Sequence, residues 1–127
     1  MIKKHPSNID LASVLSYKLP LPGVLSIIHR ITGIILFFAL PIVLWLLQYS
    51  LESAESFAHL QECMDSFLVK LVLWGIVSGL LYHLVAGIKH LLMDVGIGES
   101  LEGVDKASKI TIVVSGVLIV LAGGLIR

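Results

Sequence analysis

Three stretches of the chain are apolar at almost every position: 31–49, 67 to about 88, and 110–126. Hydrophobicity that runs on without the period of an amphipathic helix describes an element surrounded by apolar material on all sides, and each stretch approaches or exceeds the roughly 17–25 residues that cross a ~30 Å hydrocarbon core at 1.5 Å per residue. Polar positions gather between and before them. The pattern predicts an all-α integral membrane protein, a single transmembrane domain over 1–127 with three helices spanning about 22–48, 67–92 and 108–126 and a cytoplasmic or interfacial segment over 1–21.

The first helix is expected to start ahead of its apolar run, because Pro20-Leu21-Pro22-Gly23 is a helix-start signal with proline suited to the first turn. From Pro22 to Gln48 such a helix is about 40 Å long, so its first two turns, with Ser26, His29 and Arg30, lie in the interface. Pro41 should kink it. Leu11, Val14 and Leu15 have helical spacing and mark a short segment lying on the membrane surface.

Composition agrees: 57% of the residues are hydrophobic and 14% charged, with a mean hydropathy of +0.97, where a soluble domain has about a quarter of its residues charged. The first apolar run begins too far from Met1, and lacks the cleavage site, to be a removable signal peptide, so it is expected to stay as an anchor. Cys63 is the only cysteine, which leaves no disulfide and no iron–sulfur centre built by this chain alone. There is no Gly-rich phosphate loop and no Ser/His/Asp set outside the membrane for hydrolysis. A net charge of zero without basic patches makes nucleic acid an unexpected partner; the expected surroundings are membrane lipid.

Charge also orients the chain. Lys3, Lys4, Lys18 and Arg30 precede the first span and Lys89, Lys106 and Lys109 flank the second connection, whereas 50–66 carries Glu52, Glu55, Glu62 and Asp65 and no Lys or Arg. The positive-inside rule puts the N-terminus in the cytoplasm and the acidic connection on the far side. Lys70 dissents and can snorkel.

His83 lies deep in the apolar stretch from Phe67 to Met93 with no carboxylate to pair with it. An imidazole in hydrocarbon is costly unless its nitrogens are satisfied, so an intramembrane histidine is a functional candidate, with a metal, haem iron first, as its partner. Gly79, His83, Ala86, Gly87 and His90 share one helix face, where small residues beside a histidine leave a recess for a flat macrocycle. Ordinary small-residue packing, for which Gly75 and Gly79 have GxxxG spacing, is the competing reading. His83 and His90 are about 10 Å apart along the axis and cannot grip one iron from opposite sides. His29 is expected at a shallower depth than His83, so a second axial ligand would come from another polypeptide. His5 and His59 are expected at the surface.

Ser26, His29, Arg30 and Gly33 fall at i, i+3, i+4 and i+7, a polar stripe whose hydroxyl and guanidinium suit a quinone carbonyl or haem propionates, or serve as a plain interfacial anchor. Lys89, His90 and Asp94 continue the second helix out of the membrane; Asp94, one turn beyond His90, could orient or protonate it, and the solvated end of a helix explains the three equally well.

Together, Ser26-Ile-Ile-His29-Arg30-Ile-Thr32-Gly33 and His83-Leu-Val-Ala-Gly87-Ile88-Lys89-His90-Leu-Leu-Met-Asp94 resemble the two signatures of the cytochrome b556 subunits of succinate dehydrogenase, the larger membrane anchors of respiratory complex II. The resemblance implies a bacterial inner (cytoplasmic) membrane protein with haem b held by His83, the second axial ligand coming from a second small anchor subunit in a larger helical bundle. It implies Ser26 and Arg30 at a ubiquinone site, His29 and Arg30 at the haem propionates, and a proton or propionate role for His90 and Asp94. FAD and iron–sulfur clusters would sit in a flavoprotein and an iron–sulfur partner. The pattern departs at His5-Pro6, where the family usually has Arg-Pro, and at Lys89, where it usually has Arg and where Lys cannot offer a bidentate fork. The rivals are a fumarate reductase anchor oxidising menaquinol, a proton-coupled transporter, which would need an intramembrane carboxylate, and a non-haem assembly protein, which leaves His83 unexplained.

Overall fold

The computed structural model describes residues 20–127. The expectations for Lys3, Lys4, His5, Lys18 and the surface segment at Leu11, Val14 and Leu15 lie outside those residues. In chain order the helices are α1 (Leu21–Glu52), α2 (Ala54–Met64), α3 (Phe67–Asp94) and α4 (Leu101–Ile126). α1, α3 and α4 are each long and apolar enough to cross a membrane.

α1 starts where the proline signal puts it. Pro20 is its N-cap, with extended backbone, and Pro22 falls in the first turn, where a missing N–H costs nothing. The helix continues past the expected 48 to Glu52 and is uninterrupted at Pro41. It ends because Ser53 turns extended (φ −161°, ψ 164°), and that same residue caps α2: its Oγ accepts from the Ser56 N–H at 3.0 Å. The acidic connection expected as a plain loop is therefore largely helix, with Glu55 in the first turn of α2, where the helix dipole favours a carboxylate.

α4 likewise starts at Leu101 rather than at 108, because Ser100 caps it by accepting the Gly103 N–H at 3.0 Å. Before it, Gly96 and Gly98 adopt φ of +90° and +74°, left-handed backbone that a residue with a Cβ rarely takes, and the chain reverses there.

Cross-helix bonds fix the packing. The Tyr82 hydroxyl donates to the Leu25 carbonyl, joining the late part of α3 to the start of α1. The Trp74 indole N–H donates to the Ile119 carbonyl at 2.9 Å, joining the early part of α3 to the late part of α4. α3 is thus antiparallel to both neighbours and stands between them. Gly123 makes the Trp74 contact possible, since a Cβ there would lie 3.0 Å from the indole nitrogen.

The buried interior is small: Leu25 on α1, Ser56 on α2, Ala86 and Lys89 on α3, and a row of small residues, Ser108, Thr111 and Ser115, along α4. Each of the three α4 hydroxyls donates to the carbonyl one turn back in its own helix, so all three are satisfied where the helices approach closely. The large apolar side chains point outward, Phe37 73% and Leu125 87% exposed. That is the arrangement of helices dissolved in lipid, where every backbone group is satisfied within its own segment.

Candidate functional site

The antiparallel pairing of α1 and α3 brings the first polar stripe against the second. Thr32 Oγ1 donates to the His29 carbonyl at 2.8 Å, one turn back on α1. From α3, His83 Nδ1 reaches the same carbonyl at 3.1 Å and Thr32 Oγ1 at 3.0 Å. A carbonyl only accepts, and the threonine hydrogen is already directed at it, so His83 Nδ1 carries the hydrogen and shares it between two oxygens. In the neutral ring the lone pair is then on Nε2, which makes no hydrogen bond among the described residues. The half-buried ring comes this near to α1 because position 33 is glycine: a Cβ there would sit 3.1 Å from His83 Cε1.

His29 lies flat on His83, ring centroids 4.0 Å apart and planes within 9°, and His90 is tilted against His29 at 5.1 Å and 51°. The expected difference in depth between His29 and His83 is therefore wrong. Counting positions from the ends of two apolar runs ignored the antiparallel overlap, which carries the first turns of α1 down beside the last turns of α3. Face-to-face stacking nonetheless bars the pair from gripping one metal, because trans axial ligands must point their nitrogens at each other across it.

The recess expected beside Ala86 and Gly87 is taken up on this side by the His29 ring: a Cβ at Gly87 would lie 3.6 Å from His29 Nε2, and Ala86 is wholly buried. His29 Nε2 is itself buried and has no partner, a costly condition that a hydrogen-bonding group from outside the chain would relieve. Gly75 and Gly79 pack against nothing; a Cβ at either would meet no atom within 4 Å, so GxxxG packing within the chain does not account for them.

Ser26 is half-buried and Arg30 exposed on the same stretch of α1, and Arg30 has no ion pair among the described residues. Asp94 is exposed and does not come within 4.0 Å of a His90 nitrogen, so the expected His90–Asp94 pair is not formed; His90 packs on His29 instead. Lys89 is 7% exposed, far more buried than a solvated helix end implies, with its stem sunk along the bundle. His59 is exposed, as expected, and holds the Tyr49 hydroxyl at 3.0 Å. A cavity of about 610 Å³ at the opposite end, walled by Phe67, Leu71, Trp74 and Gly123, contains none of these residues.

The residue that sequence reasoning missed is Thr32. It stood inside the first motif without a role, although its place three positions after His29 is the spacing at which a threonine hydroxyl reaches back to a helix carbonyl.

Comparison with known proteins identifies the family. The family model described as succinate dehydrogenase/fumarate reductase transmembrane subunit matches residues 4–122, nearly the whole chain. The chain belongs to that family. It is 41% identical over 124 residues to the succinate dehydrogenase cytochrome b556 subunit of Coxiella burnetii, covering 97% of each chain. Identity to the protein of the same name is 38% over 105 residues in Paracoccus denitrificans (83% of this chain, 81% of the relative) and 36% over 118 in Rickettsia conorii (93% and 90%). A member of this family is a membrane subunit of an enzyme complex, a succinate:quinone oxidoreductase, and not a self-contained catalyst. The fumarate reductase, transport and assembly alternatives are not favoured by these relatives, whose names all specify succinate dehydrogenase.

Proposed function

We propose that this chain is the haem b-binding membrane anchor of a succinate:ubiquinone oxidoreductase in a bacterial inner membrane, with its N-terminus cytoplasmic. His83 would hold the haem iron through Nε2, and a second anchor subunit would supply the other ligand. The observation that carries the reading is the hydrogen bonding of His83: its Nδ1–H is held by the His29 carbonyl and Thr32, which fixes the ring and leaves Nε2 as the unprotonated nitrogen a metal needs. With its hydrogen on Nε2, the unsatisfied His29 ring beside it would donate to a propionate oxygen, and the exposed Arg30 guanidinium would be a second donor.

Bound there, the haem would supply a one-electron redox centre. Succinate oxidation belongs to a flavoprotein with FAD, and its electrons arrive through an iron–sulfur partner. Ubiquinone is the substrate at the interface. Arg30 would bind one quinone carbonyl and stabilise negative charge as it develops there, as fixed donors do at an oxyanion; Ser26, one turn earlier, would hydrogen-bond the ring oxygen and help to orient it. Protons would come from the cytoplasm.

The test is to purify the complex from membranes and record its reduced-minus-oxidised spectrum beside its succinate:ubiquinone activity. A b-type signal that co-purifies with this chain and its activity is expected. An active complex with no haem signal would sink the haem assignment, and a haem-bearing complex unable to reduce quinone would sink the quinone one.

A further inference from the structure

Thr32 is a positioning residue for the haem ligand: we infer that its hydroxyl, by bridging the His29 carbonyl and His83 Nδ1, sets the plane and tautomer of the His83 ring. The inference rests on the reading of His83 as ligand. The buried hydroxyls of α4 do something simpler. Ser108, Thr111 and Ser115 each donate to a carbonyl of their own helix. Thr32 does this too, to His29 O at 2.8 Å, but its oxygen also stands 3.0 Å from a ring nitrogen on a different helix.

The directions of the three bonds are mutually consistent. The threonine hydrogen is directed at His29 O, so its lone pair is left for His83 Nδ1–H, which simultaneously reaches His29 O at 3.1 Å. Two acceptors for one N–H hold the ring against rotation about its Cβ–Cγ bond, while Gly33 admits its edge at the same level of α1. Acceptors on the far nitrogen of a metal-bound imidazole also make the ligating nitrogen more electron-donating, which stabilises the oxidised metal. Thr32 therefore acts on the ring's orientation and on its donor strength together.

The experiment compares Thr32→Val, Thr32→Ser and His83→Ala in the assembled complex, with haem content, the low-spin electron paramagnetic resonance signature and the haem midpoint potential as readouts. Valine keeps the shape and removes the hydroxyl. It should weaken haem retention about tenfold, the lower end of what loss of such a supporting bond costs, because His29 O still accepts from the ring. It should also shift the signature and raise the midpoint potential. Serine should restore all three. Thr32→Ala, which relieves any crowding by the valine, is read by the same criteria if the valine complex assembles poorly. If Thr32→Val and Thr32→Ala match the parent in potential, signature and haem retention while His83→Ala loses haem, the role of Thr32 is wrong and the ligand stands. Should His83→Ala keep a normal spectrum, the ligand reading itself fails and the inference with it.

Discussion

Ser26 and Arg30 make no side-chain hydrogen bond or ion pair among the described residues, and Arg30 is exposed. A role toward quinone predicts that Ser26→Ala and Arg30→Leu lower succinate:quinone activity while leaving succinate oxidation by a soluble dye largely intact. Loss of a hydrogen bond to a charged donor is worth about 1.5–3 kcal/mol, roughly ten- to a hundredfold in rate when the bond is made mainly in the transition state; Arg30 should matter more than Ser26. The two activities are measured side by side in membranes with equal amounts of complex, and a parallel fall would mean that the residues act through assembly. Gly33→Ala is a sharper steric probe. Its methyl would stand 3.1 Å from His83 Cε1, so the ring must yield by a few tenths of an ångström, and the haem spectrum should shift with total haem little changed. An unaltered spectrum would mean that the ring is not the ligand or is free to move. The candidate residues were legible in the sequence because polar groups in apolar runs stand out. Their mutual contacts were not, because spacing along one helix does not say which turn of a neighbour lies opposite.

Among the helices, α3 carries the architecture, tied to α1 through Tyr82 and to α4 through Trp74. Trp74→Phe removes the bond to Ile119 O and should destabilise the assembled complex by about 0.6 kcal/mol, an average for hydrogen bonds between membrane helices. Gly123→Ala should cost more, about 1–3 kcal/mol, since its methyl meets the indole at 3.0 and 3.2 Å and the pair of helices must part. The double variant should fall short of the sum, because phenylalanine withdraws the atoms with which the alanine collides. Stability to detergent denaturation measures all three, and strict additivity would deny the contact. The three long helices were plain in the sequence because a continuous apolar run has no other use. α2 was not: its 11 residues lack such a run, and the signal that was present, Ser53 capping Ser56 N–H with Glu55 in the first turn, is the kind that also opens many loops. The early start of α4 escaped for the same reason, its first turns being polar beyond the Ser100 cap.

At the scale of the molecule, α2 and the turn into α3 lie at the end opposite His29, His83 and His90, and Cys63, exposed on α2, is the only thiol. With the N-terminus cytoplasmic, a membrane-impermeant maleimide should label Cys63 from the periplasmic side of intact cells and not from inside-out vesicles; the reverse would invert the topology. Large apolar side chains cover the outside of the bundle, and the stacked His29 and His83 cannot supply both axial ligands, so the chain expressed without its partner anchor should not hold a stable six-coordinate haem. The most direct measurement is the optical and paramagnetic resonance spectrum of the assembled complex carrying His83→Ala beside the parent. Loss of the six-coordinate low-spin haem signature in the variant, with the subunits still assembled, is the expected result; haem content and spectrum unchanged from the parent would show that His83 does not bind the iron.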